Sequence, residues 1–274
     1  MRTNELKHMR PQEILDAKKE KSIVYLPIGP LEWHGPALPF GVDPQIAELN
    51  AKIIADKVGG VVMPTLYCGT ERERTPEILD AMGFEDTDQY IVGQDFPGNT
   101  VKSLYSKEDI FANIVREYIR LLVMQKYKLI VIVNGHGADG QFATLDRLCK
   151  EFTNESDSTV MWCMSMPENF DPNFMGHANI SETSMQMYIC GEDVDLSQLP
   201  SKDVKLKNCE WGINDLSTYM LHPNADKTVI GDPRDATEEI GQRLIEEGIK
   251  KVIAEIESVY SKICDGFSGG INGK

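Results

Sequence analysis

The length and charge of the chain narrow the classes of protein to which it can belong. A chain of 274 residues with 41% hydrophobic content can bury a large core, and we expect one domain over residues 1–274 because no linker divides it. Its 43 acidic residues outnumber the 28 Lys and Arg residues, and the net charge of −15 opposes binding to nucleic acid or to an anionic membrane surface. A small molecule is therefore the expected partner.

Two further features concern the cellular compartment. The first residues lack the apolar stretch of a signal peptide, and no run approaches the length of a membrane span, which predicts a cytoplasmic protein. The six scattered cysteines include no Cys-x-x-Cys pair, which predicts free thiols and argues against a disulfide framework or a zinc knuckle.

The first part of the chain alternates helical and extended patterns. Asp43-Pro44 opens a helix, since proline is favoured at the first helical position, and Gly59-Gly60 ends it. The segment 68–103 is long for a connection, so we expect it to be functional or to contain further structure. The predicted elements are helices over 11–19 and 43–58 and strands over 22–28 and 61–67.

The second part of the chain also alternates between helical and extended patterns. Ser106 and Ser181 are predicted helix caps, because a serine oxygen can accept a hydrogen bond from the first turn. Residues 193–232 give no clear element, and the Gly-rich tail 265–274 is expected to be mobile. The predicted elements are helices over 106–124, 141–152, 181–189 and 236–263 and strands over 129–134 and 159–166. Strands that alternate with helices indicate an α/β domain with a largely parallel sheet.

Two acids and a histidine follow the first predicted strand. Side chains alternate in extended chain, so Glu32 and His34 are expected to point to the same side. The Pro- and Gly-rich loop after them can fold back and bring Asp43 to the same place. Imidazole nitrogen and carboxylate oxygen are the usual non-thiolate ligands of borderline divalent cations, so this stretch predicts a metal site.

A second histidine motif, Asn134-Gly135-His136-Gly137, follows the strand over 129–134. Open α/β sheets bind ligands at the carboxyl ends of their strands, which is where this motif lies. The stretch from Gly135 to Gly140 also fits the Gly-x-Gly-x-x-Gly pattern of a dinucleotide site. That alternative needs an acid at the end of the next strand to hold the ribose, and Glu168 lies too far beyond it.

A third stretch, GHANISETS, contains His177 and Glu182. Glu182 would lie at a helix start, where the helix dipole keeps a carboxylate ionised for a cation, although an ordinary first-turn acid would have the same position. It completes a set of three carboxylates and two imidazoles: Glu32, His34, Asp43, His136 and Glu182. Such a set is large enough for two divalent cations bridged by one Asp, an arrangement that lowers the pKa of water and polarises a carbonyl at once.

These motifs resemble those of the creatininase (creatinine amidohydrolase) family. The match runs in the family's order from LPIGPLEWHGPALPFGVD through FPGNTV and NGHG to GHANISETS and GDPRDAT. The resemblance implies a three-layer α/β sandwich that binds two divalent cations of zinc, manganese or iron type, in a homo-oligomer that is often a hexamer. It also implies the ligands: one cation on Glu32 and His136, the other on His34 and Glu182, and Asp43 between them.

The same resemblance assigns His177 to the substrate as acid, base or carbonyl orienter, but the chain departs from creatininase proper. Creatininase takes a metal carboxylate two residues after its Asn-Gly-His histidine, where this chain has Ala138. Glu182 would substitute for it, as in the deformylase-like branch of the family. Three further positions differ from the family pattern: Trp33, Asp139 and Asn173. Creatinine is therefore not the expected substrate.

Three residues are candidates for substrate binding. Trp33 could stack on a substrate ring or pack beneath the site. Arg72 and Arg74 could bind a polar or anionic substrate by forked hydrogen bonds, or belong to a solvated surface of alternating charges. The loop 67–100 that contains both arginines is a candidate lid.

Together these patterns predict a two-metal hydrolase. Metal-bound hydroxide would attack a carbonyl of a small, cyclic substrate, and His177 would protonate the leaving atom. A cyclic amide is the default substrate, and C–C ring opening of a cyclic polyol diketone such as 3-dehydro-scyllo-inosose is the main alternative. Two other classes stay open: an NAD-dependent oxidoreductase that uses the glycine pattern, and a non-catalytic sugar or effector binder that keeps the fold.

Overall fold

A parallel β-sheet forms the centre of the computed structural model, which describes residues 2–81, 84, 101–164, 176–204 and 231–268. Within these residues the strand order is β2-β1-β4-β5. The strand β3 also pairs with β1, nearer to the carboxyl end of β1 than β2 does. Every pairing between these strands is parallel. The strands are β1 (Ile23–Gly29), β2 (Val61–Val62), β3 (Leu66–Tyr67), β4 (Leu129–Asn134) and β5 (Thr159–Met164).

Helices connect the strands and cover the sheet. They are α1 (Pro11–Glu20), α2 (Val42–Val58), α3 (Pro76–Ala81), α4 (Glu108–Met124), α5 (Asp139–Glu155), α6 (Ile180–Cys190) and α7 (Glu238–Ser268). Short 3-10 turns occur at Leu6–His8, Gly191–Asp193, Leu196–Gln198 and Pro233–Asp235. In the part of the chain that the structure describes, no helix is both long and apolar enough to span a bilayer.

The central strands β1 and β4 bury both of their faces. Alternate residues of β1 point to opposite sides: Leu26 joins a core cluster with Phe111 of α4 and Leu145 of α5, whereas Tyr25 joins a cluster with Ala51 of α2 and Ile249 of α7. Continuous apolar strands are therefore required here, because helices cover both faces. The predicted three-layer α/β fold with a parallel sheet is confirmed.

Five local predictions are wrong. Helix α2 begins at Val42, so Pro44 is its third residue and not its first. Residues 265–268, predicted as part of a mobile tail, form the end of α7.

The other three wrong predictions concern one strand and two helix caps. The predicted strand over 61–67 is two short strands, because Pro64 between them has no N–H for the ladder. Ser106 does not cap α4: its backbone N–H donates to the carbonyl of Gly69, and α4 begins at Glu108 after Lys107. Ser181 does not cap α6 either, since Asn179 is the N-cap and its side chain accepts from the Ser181 N–H.

Some predictions fall outside the described residues. These are the strand end at 165–166, positions 82–83 and 85–100 of the loop 67–100, the irregular stretch at 205–230, the tail at 269–274, and Asn173.

Helix α6 lies directly against α7. A Cβ at Gly241 of α7 would overlap the backbone carbonyl of Ser184, so this close approach requires a glycine. The N–H of Thr237 also donates to the Ser184 hydroxyl at 3.2 Å. This contact fixes the position of α6 and of Glu182 in its first turn.

Candidate metal centre

The five predicted metal-ligating side chains meet where β1 and β4 end. The two strands finish in register, with Ile28 opposite Asn134, so the segments that follow them leave the sheet together. His136 Nδ1 lies 3.0 Å from Glu32 Oε2 and 3.0 Å from Asp43 Oδ2. His34 Nε2 lies 3.2 Å from Asp43 Oδ1 and 3.8 Å from Glu182 Oε2. All five residues are between 1% and 8% exposed.

Asp43 reaches the centre of the site because the turn after β4 makes room for it. A Cβ at Gly135 would overlap the backbone carbonyl of Asp43. The glycine therefore allows the first turn of α2 to lie against the strand end, with Asp43 beside His136. This packing explains the glycine that opens the Gly-x-Gly-x-x-Gly pattern without reference to a nucleotide.

The five side chains form two groups that share Asp43, and a third group joins Glu32 and His34 with His177. The first group is Glu32, Asp43 and His136, and the second group is His34, Asp43 and Glu182; in each, one ligand atom from every residue lies within 4.8 Å of the others. Asp43 faces the first group with Oδ2 and the second with Oδ1. One carboxylate can thus serve two cations, each with an imidazole and a further carboxylate.

The hydrogen bonds of His34 prepare it for a cation. Its Nδ1–H donates to the backbone carbonyl of Glu32 at 3.0 Å, so a cation bound at Nε2 would take the place of the second proton of the ring. The buried Nε2 atom lies 3.2 Å from Asp43 Oδ1 but makes no hydrogen bond of good geometry with any described residue. A histidine whose other nitrogen donates to a backbone carbonyl is the usual arrangement of a metal ligand. The residues therefore fit a divalent cation of the zinc or manganese type.

The electrostatics favour positive charge at the centre of the site. Burial lowers the pKa of His34, but the carboxylates of Glu182 and Asp43 outweigh it and raise that pKa to about 10. Burial also opposes the charge of His136, whose pKa is nevertheless raised by Glu32 and Asp43. Burial raises the pKa of Glu182 to about 7. Three buried carboxylates close together repel one another, and divalent cations bound between them would stabilise their charged forms.

His177 lies at the edge of both groups. Its Nε2–H donates to the backbone carbonyl of Trp33 at 2.5 Å, and its Nδ1 lies 3.9 Å from Glu32 Oε1 and 3.9 Å from Glu182 Oε2. Its ring is 4.3 Å from that of His34. Burial and the nearby charge of His34 lower the pKa of His177 to about 4, so the ring is neutral at pH 7 with its lone pair on Nδ1.

Two residues near the site were not among the predicted site residues. Tyr105 donates its hydroxyl hydrogen to Glu32 Oε1 at 2.6 Å. Glu71 is a further buried carboxylate, and burial raises its pKa, while the charge of His136 opposes that rise. Its loop is fixed by Gln141, which accepts from the Thr70 N–H and donates to Asn134. Tyrosine is not a typical metal ligand, and it lies 73 residues from Glu32, so no spacing pattern pointed to it.

The predicted substrate-binding residues differ in their surroundings. Trp33 is 8% exposed, and its ring packs edge-on against Phe40 at 6.2 Å. Arg72 is exposed, and its Nε lies 3.7 Å from Glu71 Oε1. Arg74 is partly buried. A contact of either arginine with a substrate stays a prediction.

Comparison with known proteins agrees with the fold. The family model described as creatinine amidohydrolase (creatininase) matches residues 7–256. The chain is 25% identical to the creatinine amidohydrolase of Pseudomonas putida over 194 residues. This aligned region covers 65% of this chain and 68% of that protein. A crystal structure of creatininase superposes with a TM-score of 0.67 at 16% identity, over 95% of this chain and 99% of that one.

Two further solved structures have similar folds. A structure named Creatininase Mn has a TM-score of 0.65 at 16% identity and covers 94% of this chain and 99% of its own. A mutant creatininase of Zn-Zn type also has a TM-score of 0.65, at 17% identity, over 94% of this chain and 98% of its own. The match of the family model over most of the sequence, joined to the common fold, shows that this chain belongs to the creatininase family.

Proposed function

We propose that the chain is a hydrolase that binds two divalent cations and cleaves a bond next to a carbonyl of a small, cyclic substrate. The first group would hold one cation and the second group the other, with Asp43 as the shared ligand. The observation that carries the proposal is this division of Asp43, with one oxygen toward each group. Zinc and manganese are the proposed metals, since solved creatininases include Mn and Zn-Zn forms.

Such cations, when bound, activate water at neutral pH and polarise a carbonyl. The residues of the chain supply the rest of the chemistry. His177 is anchored through Nε2–H on the Trp33 carbonyl, so its Nδ1 is the atom that exchanges a proton with the reacting groups. Burial lowers the pKa of His177, so the neutral ring can take a proton from the attacking water at Nδ1 and then give that proton to the leaving atom. It thus acts first as a base and then as an acid.

A cyclic amide is the default substrate class, because the chain belongs to the creatininase family. The C–C ring opening of a cyclic polyol diketone is the second candidate. It is favoured by one observation: Trp33 is buried against Phe40, which leaves little aromatic surface for stacking on a planar ring. A hydroxyl-rich ring has less need of such stacking. A homo-oligomeric assembly stays a prediction.

The first test is the metal content of the purified protein. We expect about two equivalents of transition metal for the wild type, and less than one for Asp43→Asn, since the amide cannot offer an anionic oxygen to each cation. Asp157→Asn is the control, because Asp157 is exposed in the turn before β5. A wild type that binds no metal, or an Asp43→Asn variant that keeps both equivalents, would contradict the proposal.

The second test is a substrate screen with added Mn²⁺ or Zn²⁺. The screen contains cyclic amides, formamides and cyclic polyol ketones, and product analysis by mass spectrometry shows whether nitrogen or carbon leaves. Turnover that Asp43→Asn abolishes supports the hydrolase. Metal binding without any turnover, together with saturable binding of a polyol, supports the non-catalytic binder instead.

A further inference from the structure

Tyr105 contacts the first group at two of its members. Its hydroxyl donates to Glu32 Oε1 at 2.6 Å, and its ring centre lies 5.8 Å from that of His136 with the planes 37° apart. A phenol that donates to a carboxylate forms a short, charge-assisted hydrogen bond, which restricts the rotation of the carboxylate. The contact therefore determines which oxygen of Glu32 is available to a cation.

The two oxygens of Glu32 have different partners as a result. Oε2 lies 3.0 Å from His136 Nδ1, within the first group. Oε1 accepts from Tyr105 and lies 3.9 Å from His177 Nδ1. Glu32 thus presents one oxygen to the first group and turns the other toward the phenol and the proton-carrying histidine.

The backbone around Tyr105 is fixed on both sides. The N–H of Leu104 donates to the carbonyl of Leu31 at 2.8 Å, and the Ser103 hydroxyl accepts from the Trp33 N–H at 2.9 Å. On the other side, the Ser106 N–H donates to the Gly69 carbonyl at 2.8 Å. The first two bonds connect the segment to Leu31 and Trp33, which flank Glu32, and so hold the phenol beside the carboxylate.

We infer that Tyr105 is a positioning residue that makes Glu32 a one-oxygen ligand of the first-group cation and thereby strengthens that cation's binding over the second. The inference rests on the proposed function, since it assumes that the first group binds a divalent cation. Hydrogen-bond partners of metal ligands commonly change metal affinity by about 10- to 100-fold, so the effect is expected to be measurable by titration.

The test compares Tyr105→Phe with Tyr260→Phe. Tyr260 accepts from the Ser22 N–H at the start of β1, so its variant loses the same hydroxyl at the opposite end of the sheet. Both variants are made in a Glu182→Gln background, which is expected to keep only the first-group cation. Mn²⁺ is titrated into the metal-free proteins and followed by electron paramagnetic resonance. We expect Tyr105→Phe to weaken Mn²⁺ binding by about tenfold or more and Tyr260→Phe to leave it within about twofold.

A second comparison separates positioning from general destabilisation. Tyr105→Phe is combined with Glu32→Gln, and Mn²⁺ binding to the second group is compared with that of Glu32→Gln alone. We expect equal affinities, because Tyr105 acts on metal binding through Glu32; a lower affinity of the double variant would indicate general destabilisation and overturn the inference. Equal affinities for Tyr105→Phe and Tyr260→Phe in the Glu182→Gln background would overturn the inference while leaving two-metal binding intact. A wild type that binds no Mn²⁺ would instead refute the proposed function.

Discussion

The backbone carbonyl of Asp43 occupies the space that a side chain at Gly135 would need. The contact joins the first turn of α2 to the end of β4, and it brings the shared carboxylate within 3.0 Å of His136. The site therefore depends on a glycine that has no chemistry of its own.

Gly135→Ala tests that dependence. We expect the added methyl group to push α2 away from β4, to lower the free energy of unfolding by about 1–3 kcal/mol and to reduce metal content. Denaturant unfolding and elemental analysis measure the two effects. Gly137→Ala is the matched control, because a Cβ there meets no heavy atom within 4 Å. If the two alanine variants behave alike, the close approach of Asp43 does not determine the site.

His177→Asn tests the role of the histidine at the edge of the two groups. We expect kcat to fall by about 10²- to 10⁴-fold, the usual contribution of a general acid or base, on whichever substrate the screen identifies. Metal content is expected to stay at the wild-type value, because we assign neither cation to Nδ1. His8→Asn, at an exposed position, is the control. Loss of one metal equivalent in His177→Asn would make this residue a ligand instead of a proton carrier.

Glu182→Gln tests the second group alone. The Ala178 N–H donates to Glu182 Oε2 at 2.5 Å, and the amide oxygen of glutamine can still accept that bond, so the substitution removes mainly the charge. We expect about one equivalent of metal to remain, on the first group, because an amide is a weaker ligand than a carboxylate. Glu192→Gln, at an exposed position just after α6, is the control. Retention of both equivalents would remove Glu182 from the ligand set.

Thiol reactivity tests the core on both faces of the sheet. Burial raises the pKa of Cys68, Cys149 and Cys163 to about 12, so at pH 8 these groups stay protonated and unreactive. Cys190 and Cys264 are only partly buried. We expect iodoacetamide at pH 8 to modify Cys190 and Cys264 in the native protein and to spare Cys68, Cys149 and Cys163 until urea is added, as peptide mass spectrometry can show. Early labelling of Cys163 would place it outside the core.

The sequence predicts that the candidate ligands lie close together, because three of them follow strand ends. Glu32, His34 and His136 lie just after the two most apolar strands, and in a parallel sheet such positions converge at one edge. Each residue was ambiguous alone, and only the count of acids and imidazoles favoured a metal pair. Their convergence is a property of topology, which the alternation of apolar strands and helices already indicates.

The remaining features depend on contacts between distant parts of the chain. Tyr105 reaches Glu32 only because the backbone of Leu104 pairs with Leu31, and neither residue carries a local signal for that pairing. The sequence offers both Ser181 and Asn179 as caps of α6, because both residue types are favoured N-caps, and the structure has Asn179. Sequence patterns thus indicate several possible caps and contacts, but they do not show which of them the folded chain uses.

The close packing of α6 against α7 has a consequence for how metal binding can change by substitution. Ala138 follows β4 at the position where the resemblance to creatininase predicts a metal carboxylate, whereas the candidate ligand Glu182 lies on α6, which packs closely against Gly241 of α7. One of the proposed cation sites thus takes its acid from an element whose alignment is governed by the last helix of the fold. Substitutions in α7, far from the candidate ligands, would then change the occupancy of the second group without changing that of the first. Metal preference could therefore evolve while all the candidate ligands stay the same.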